Sequence, residues 1–106
     1  MMARRILIAG FGTAGRSLAE DVQRAGDRIV GYLDDVRVGD DVLGRLRDVE
    51  SVAAAQAADA VYFAIPSAPG EVVRDFAAAV ARAGVELAII PRTYRIVSRE
   101  RVSVSD

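Results

Sequence analysis

The sequence predicts an α/β domain with a parallel sheet of about five strands and helices on both faces. Two observations carry this prediction. Short apolar runs of strand length alternate with longer stretches of helical periodicity. The short runs are almost continuously apolar, which is typical of strands in a parallel sheet that is covered on both faces. Because 106 residues suffice for one core, we expect a single small domain over residues 1–106.

The composition disfavours several classes of function. The formal net charge is −1, which gives no overall positive field to attract nucleic acid or anionic membranes. The chain has no cysteine and no histidine, and its 14 basic residues are all arginine, so thiolate, imidazole and lysine chemistry are absent. No metal site is predicted. No apolar run reaches the length of a membrane span, and we expect a cytoplasmic protein that has no nucleic-acid partner.

A glycine-rich turn follows the first predicted strand. The apolar run at residues 4–9 leads into Gly10-Phe11-Gly12-Thr13-Ala14-Gly15, and a helical pattern follows over residues 13–25. In a GxGxxG turn of this kind, the glycines permit a tight turn, the close approach of a pyrophosphate and close packing of the helix on its strand. The helix N-terminus also offers free N–H groups to phosphates. We therefore predict that residues 10–15 bind a phosphate, with a purely connecting turn as the alternative.

An acidic pair closes the second predicted strand. The first helix is expected to stop at Gly26, and the strand at residues 28–33 runs into Asp34 and Asp35. A strand, a helix and a strand within about thirty residues form a right-handed βαβ unit. Asp34 follows the glycines at close to the spacing at which a carboxylate binds an adenosine ribose and repels a 2′-phosphate, so the pattern favours NAD over NADP. The alternatives are that the pair only starts a turn, and that Arg37 offsets the repulsion.

The middle of the chain predicts a loop, a short strand and a helix. Residues 35–44 are polar and punctuated by glycine, which indicates a loop, and residues 42–46 are expected to pair briefly as a strand. Asp48 is predicted to be the N-cap of a helix that runs through residues 49–57. These segments connect the βαβ unit to the second half of the sheet.

The second half of the chain brings further polar groups to the edge of the sheet. The predicted strand at residues 60–65 ends at Pro66 and Ser67, and loops at the carboxyl ends of parallel strands surround the ligand in a doubly wound sheet. We therefore expect Pro66 and Ser67 to face the glycine turn, with Ser67 donating a hydrogen bond to a ligand. The alternative is that they only begin the next helix, over residues 69–83.

The last predicted strand, at residues 85–90, brings Arg92 to the same edge of the sheet. Its guanidinium is a candidate clamp for a phosphate or a carboxylate, and a solvated arginine is the alternative. The arginine-rich tail at residues 93–106 ends in an alternating pattern that is typical of a half-buried strand.

In their order and spacing these motifs resemble the small N-terminal, Rossmann-like nucleotide-binding domain of capsular-polysaccharide-type nucleoside-diphosphate-sugar epimerase/dehydratases. Related domains open some membrane polyprenyl-phosphate sugar transferases and some sugar acyltransferases. The resemblance covers nearly the whole chain. It is carried by the glycine turn and by Gly31-Tyr32-Leu33-Asp34-Asp35, Val42-Leu43-Gly44, Phe63-Ala64-Ile65-Pro66-Ser67-Ala68, Ile90-Pro91 and Arg101-Val102-Ser103-Val104-Ser105.

The resemblance implies a module of a nucleotide-sugar or polysaccharide-biosynthesis enzyme that binds NAD or another nucleotide. Such a module is a fragment or an accessory domain, and its partner is a catalytic domain or a second copy of the chain. In the family the larger catalytic domain relies on a lysine, which is missing here, so we assign no catalytic residue. A regulatory or assembly domain that senses a nucleotide, a UDP-sugar or coenzyme A remains open, as does a minimal NAD-dependent oxidoreductase. The lack of histidine, cysteine and lysine argues against the oxidoreductase.

Overall fold

The computed structural model describes residues 3–90, and the statements below refer to this part of the chain. The strands are β1 (Arg5–Ala9), β2 (Arg28–Leu33), β3 (Val42–Gly44), β4 (Ala60–Phe63) and β5 (Glu86–Ile89). The helices are α1 (Thr13–Arg24), α2 (Val49–Ala55) and α3 (Gly70–Ala83), and a single 3₁₀ turn (Leu46–Asp48) precedes α2. None of these helices combines the length and the apolar character that a membrane span requires.

The five strands form one parallel sheet in the order β3-β2-β1-β4-β5. From β1 the chain winds outward through β2 and β3, and it then crosses to the other side of β1 to form β4 and β5. The winding direction therefore reverses between β1 and β4, and the connections that leave the carboxyl ends of these two strands diverge and open a crevice. This strand order confirms the predicted Rossmann-like, doubly wound sheet.

Strand β1 connects the two halves of the hydrophobic core. Side chains alternate along a strand, so Ile6 and Ile8 pack in the cluster on the face of α1, whereas Leu7 and Ala9 pack in the cluster on the face of α2 and α3. All four side chains are fully buried. Burial of a large aliphatic side chain contributes about 1.5–3 kcal/mol, so β1 is held firmly on both faces, and with it the turn that follows Ala9.

The edge strand β3 is aligned by a close contact with β2. Tyr32 pairs with Val42, and Leu33 pairs with Gly44. Between these pairs, Leu43 covers the backbone of Gly31, because a Cβ atom on Gly31 would lie only 2.8 Å from the Leu43 Cγ. Leu43 thus fills the space that the missing side chain leaves, which holds a strand of three residues in register.

Helix α2 starts at the predicted residue, but its capping and its end differ from the prediction. Asp48 occupies the predicted N-cap position of α2, but its side chain forms no capping hydrogen bond with this helix. Its Oδ2 instead accepts the backbone N–H of Arg45 at 2.8 Å and closes the preceding 3₁₀ turn. The helix also ends earlier than predicted. The N–H of Ala58 donates to the Ala53 carbonyl, and Ala57 adopts a left-handed conformation with φ 52°, a pairing typical of a helix that ends in a Schellman turn.

The other elements agree with the sequence to within a few residues. Strand β2 has the predicted bounds, α1 starts at the predicted residue, and the chain reverses after α1 at Gly26 with a positive φ. Strand β4 ends at Phe63 rather than at residue 65, and α3 begins at Gly70 with Pro69 as its N-cap. The predictions for Arg92 and for the tail at residues 93–106 lie outside the described residues.

Candidate functional site

A cavity of about 570 Å³ opens at the point where the winding of the sheet reverses. Its wall is formed by the turn after β1, one face of α1, the end of β2 and its following loop, the loop after β4, and the residue after β5. A cavity of this size at this place in an open α/β sheet is the usual location of a ligand site. The lining residues are Gly10, Gly12, Thr13, Ala14, Ser17, Leu18, Asp21, Asp34, Arg37, Ala64, Ile65, Pro66, Ser67 and Ile90.

Most of the residues that the sequence analysis assigned to the site lie on this wall. They come from three separate loops that the sheet brings to one edge, and they are Gly10, Gly12, Thr13, Ala14, Asp34, Pro66 and Ser67. Arg92 lies outside the described residues.

Three assigned residues lie beside the cavity rather than on its wall. Phe11 packs against Tyr32 in an edge-on arrangement, with 4.8 Å between the ring centroids. Gly15 lies beneath the turn and contacts the backbone of Gly10. Asp35 accepts the backbone N–H of Leu46 at 2.9 Å and lines a smaller depression on the far side of the loop. These three support the shape of the turn and of the loop after β2.

Two glycines of the turn are required by packing alone. Gly10 has a φ of +116°, and a Cβ atom there would lie 2.6 Å from the carbonyl oxygen of Ala64. A Cβ atom on Gly15 would overlap the carbonyl oxygen of Gly10, because α1 approaches β1 so closely. Any protein with this turn would need these two glycines, whether or not it binds a ligand.

Gly12 differs from both, because nothing rigid occupies the space beside it. Its φ of −89° suits any residue, and the three atoms nearest to a Cβ atom there would be the guanidinium carbon and two nitrogens of Arg37, at 3.3–3.5 Å. This guanidinium group ends a flexible side chain and can move. The fold therefore does not require glycine at position 12, and the missing side chain instead leaves the backbone open to the cavity.

The start of α1 faces the cavity with its positive end uncompensated. The first intrahelical bond runs from the Arg16 N–H to the Gly12 carbonyl, at 3.0 Å, so the N–H groups of residues 13–15 have no acceptor within the helix. No side chain caps this end, and the first turn contains no acidic residue. Free N–H groups and the helix dipole together favour an anion at this position.

Asp34 connects the glycine turn to the loop that follows β2. Its side chain is almost fully buried, and Oδ2 accepts the Phe11 N–H at 2.8 Å. Oδ1 accepts the N–H groups of Val36 at 2.8 Å and Arg37 at 2.7 Å. Burial acts to raise the pKa of this carboxyl, but the three backbone donors and the Arg37 charge outweigh it and lower the pKa below its usual value. The carboxylate is therefore ionised, and backbone N–H groups occupy three of its acceptor positions, of which a carboxylate has about four.

Sequence reasoning did not assign several residues that line the cavity. Arg37 lies over Gly12, with Nη1 3.8 Å from Asp34 Oδ2. From the sequence, Arg37 is considered only as a neighbour of the acidic pair that could offset the repulsion of a 2′-phosphate, and its contact with Gly12 is not predicted. Ser17 and Asp21 follow Thr13 at intervals of four residues, and Leu18 follows Ala14 in the same way. That interval places them on one face of α1, so helical spacing counted from Thr13 could have identified them.

The wall is better suited to binding than to proton transfer. Among the described residues that line the cavity, the ionisable side chains are Asp21, Asp34 and Arg37. Asp21 forms an ion pair with Arg24 at 2.8 Å, and Asp34 is held by backbone donors. The groups that remain available are the helix N–H groups, the Arg37 guanidinium and the hydroxyls of Thr13, Ser17 and Ser67, and all of them suit an anion or a polar ligand.

Comparisons with known proteins give a link at the level of the fold. No protein-family model matches the chain, and no curated protein matches it. Among solved structures, the UDP-D-quinovosamine 4-dehydrogenase from Vibrio fischeri is 26% identical with a TM-score of 0.68, covering 85% of this chain and 80% of that one.

A second similar structure is RSP, a Rex-family repressor, at 19% identity and a TM-score of 0.64. RSP in complex with β-NADH is also similar, with a TM-score of 0.62 at 19% identity. These matches cover 84% and 83% of this chain and 53% of the repressor chain in both cases, so the chain spans about half the length of the repressor. At this identity the likeness to RSP shows the fold alone. The chain thus shares its fold with nucleotide-binding proteins.

Proposed function

We propose that this chain is a binding module for an NAD-type dinucleotide. The pyrophosphate would lie on the backbone of residues 10–15 at the start of α1, and the adenosine ribose would lie near Asp34 at the end of β2. Pro66 and Ser67 would contact the ligand from the loop after β4. The cavity volume of about 570 Å³ is within the range of small-molecule sites.

One observation carries the proposal. Gly12 is the glycine of this turn that packing does not require, and it lines the cavity beside the free N–H groups of α1. A phosphate that approaches the backbone at this point would explain why the position has no side chain. The similar fold of the RSP complex with β-NADH adds support for the class of ligand.

The wider role that we propose is that of an accessory module in nucleotide-sugar or polysaccharide-biosynthesis metabolism. The support is the similarity to a UDP-D-quinovosamine 4-dehydrogenase. In this role the chain would bind the nucleotide, and a catalytic domain or a second protein would supply the reacting groups. A UDP-sugar is the second candidate ligand, because its diphosphate could use the same helix terminus.

Calorimetric titration of the purified chain with NAD, UDP-glucose and coenzyme A tests the proposal. We expect saturable binding of NAD, and we expect Gly12→Val to weaken it by about tenfold or more, because the side chain would keep the pyrophosphate from the helix N–H groups. The thermal unfolding curve of Gly12→Val should stay close to that of the wild type, with a loss of at most about 1 kcal/mol at the N-cap position.

Gly70→Ala is the matched control for this experiment. It adds a side chain at the start of another helix, where a Cβ atom would meet only the end of the Arg74 side chain, and it should leave NAD affinity unchanged. Unchanged NAD affinity in Gly12→Val, or a lack of NAD binding by the wild type, would contradict the proposal. Binding of UDP-glucose alone would replace NAD by a UDP-sugar at the same helix terminus.

A further inference from the structure

The sequence pattern of an acidic pair after β2 predicts a site that rejects a 2′-phosphate, but the structure presents neither carboxylate freely to the cavity. Asp34 is 8% exposed, and both its oxygens accept backbone N–H groups at 2.8 Å or less. Asp35 is directed to the other side of the loop, where it accepts the Leu46 N–H. Both carboxylates are thus engaged by backbone donors rather than free to bind the ribose hydroxyls, and the charge of Asp34 is offset in part by the nearby Arg37.

The charge that does face the cavity at this point is positive. The Arg37 side chain is 59% exposed, and Nη1 lies 3.8 Å from Asp34 Oδ2. A guanidinium carries five N–H donors in a planar fork that matches a phosphate. At this distance the Asp34 contact is a loose ion pair rather than a hydrogen bond, so it leaves the donors of Arg37 available to a ligand.

The position of Arg37 is set by the backbone rather than by its own charge. The Arg37 N–H donates to Asp34 Oδ1 at 2.7 Å, which fixes the start of the loop, while the guanidinium extends back over Gly12. A phosphate on the ribose near the end of β2 would therefore meet Arg37 before it approached Asp34. The free end of α1 adds to the positive potential on the same wall.

We propose that Arg37 lets the site accept an adenosine ribose that carries a 2′-phosphate, so that the site binds NADP as well as NAD. This inference rests on the proposed function, because it concerns the adenosine half of the same dinucleotide. Arg37 would form charge-assisted hydrogen bonds with the 2′-phosphate, and Asp34 would act as a positioning residue that holds the turn and the loop in place. Asp34 would not reject the 2′-phosphate.

Titration of the full chain with NAD and NADP, and separately with AMP and adenosine 2′,5′-bisphosphate, tests this inference. We expect NAD and NADP to bind with dissociation constants within about threefold of each other, and Arg37→Gln to weaken NADP at least about tenfold more than it weakens NAD, whose pyrophosphate would also lie close to Arg37. Adenosine 2′,5′-bisphosphate should show the same loss in Arg37→Gln, and AMP should not.

Arg45→Gln is the control variant, because Arg45 lies near the same loop but lines the smaller depression and not the cavity. It should leave both affinities unchanged. Thermal unfolding of Arg37→Gln should stay close to that of the wild type, with a loss of at most about 1 kcal/mol, since the guanidinium is mostly exposed and lies 3.8 Å from Asp34, while the three backbone donors that hold this carboxylate are kept. If NAD binds and NADP is rejected, or if Arg37→Gln weakens NAD and NADP equally, the inference is wrong and the proposed function stands. If neither dinucleotide binds, both fail together.

Discussion

Helices α1 and α3 begin at the same edge of the sheet, each after a buried parallel strand, yet their first turns differ. Helix α1 starts from Gly12, and its first turn has no acidic residue. Helix α3 starts from Pro69 and has Glu71 in its first turn. A carboxylate at this position compensates the positive end of a helix. The chain therefore neutralises the end of α3 internally and leaves the end of α1 to whatever enters the cavity.

The glycines in these two turns differ in the same way. Gly15, at the third position of α1, lies against the carbonyl oxygen of Gly10, whereas Gly70, at the first position of α3, has only the end of the Arg74 side chain near it. The turn before α1 is thus built for close backbone approach, and the turn before α3 is an ordinary loop. The difference indicates that a strand-to-helix turn does not by itself make a binding site.

The largest expected effect follows from this difference in packing. Gly15→Ala would force α1 away from β1, and we expect a loss of about 3 kcal/mol or more in the free energy of unfolding. Gly70→Ala should change that free energy by less than about 1 kcal/mol. Urea unfolding of both variants measures the two values. Equal losses in the two variants would show that the close approach of α1 to β1 does not matter for stability.

A carboxylate can be added to the first turn of α1 and removed from the equivalent position of α3. Ala14 and Glu71 are both the second residue of their helix. We expect Ala14→Glu to weaken NAD binding by about tenfold or more, because its carboxylate would compete with the phosphates at the start of α1. Glu71→Gln is the control and should leave the affinity unchanged. Calorimetric titration checks both, and a strong effect of Glu71→Gln would place the ligand nearer to α3.

The turn before α1 is also held by a buried side chain, because Asp34 accepts the Phe11 N–H. We expect Asp34→Asn to lower the free energy of unfolding by about 1–3 kcal/mol, since an amide in place of the carboxylate cannot accept all three backbone N–H groups. Asp40→Asn, at an exposed turn position, should have little effect. Chemical unfolding at neutral pH compares the two variants.

The same carboxyl predicts how stability depends on pH. Its pKa is lower in the folded chain than the usual 3.8, so its stabilising contribution is fully present above pH 3.8. That contribution is lost as the pH falls from 3.8 through the lower folded value. The wild type should therefore lose stability more steeply in this range than Asp34→Asn. Parallel acid limbs in the two proteins would contradict this assignment.

The smallest effect concerns how the helices end rather than how they begin. Helix α3 stops at Gly84, and α2 is followed by Ala57, and both residues are left-handed. We expect Ala57→Gly to raise the free energy of unfolding by about 0.5–1 kcal/mol, because alanine is strained in this conformation. Gly84→Ala should lower it by about 1 kcal/mol, since a Cβ atom there would touch nothing and only the backbone conformation changes. Thermal unfolding curves measure both, and effects of the same sign would contradict the explanation.

Much of the fold could be predicted from sequence because its signals are local. The apolar run of residues 28–33 between Gly26 and Asp34 gave the bounds of β2, and the GxGxxG turn gave the start of α1. The end of α2 could not be predicted in this way. Its sequence is alanine-rich up to Ala58, so nothing marks Ala57 as the residue that turns left-handed.

The parts of the site that could not be predicted depend on contacts between distant residues. The spacing from the glycines predicted a carboxylate near the ligand at Asp34, and the structure places Asp34 on the cavity wall. That Asp34 is occupied by the N–H groups of Phe11, Val36 and Arg37 follows only from the pairing of β1 with β2 and from the path of the loop. The same path brings the Arg37 guanidinium over Gly12, and no sequence pattern encodes that contact.

The contact between Gly31 and Leu43 has a consequence for how this chain can change during evolution. A side chain at position 31 would displace Leu43 and detach the short edge strand. Substitutions at the two positions are therefore expected to depend on each other. Relatives that keep this strand should have glycine at 31 together with a bulky apolar residue at 43, or a small residue at both. Such covariation would identify the edge strand β3 from sequence, just as the glycine turn identifies the end of the central strand β1.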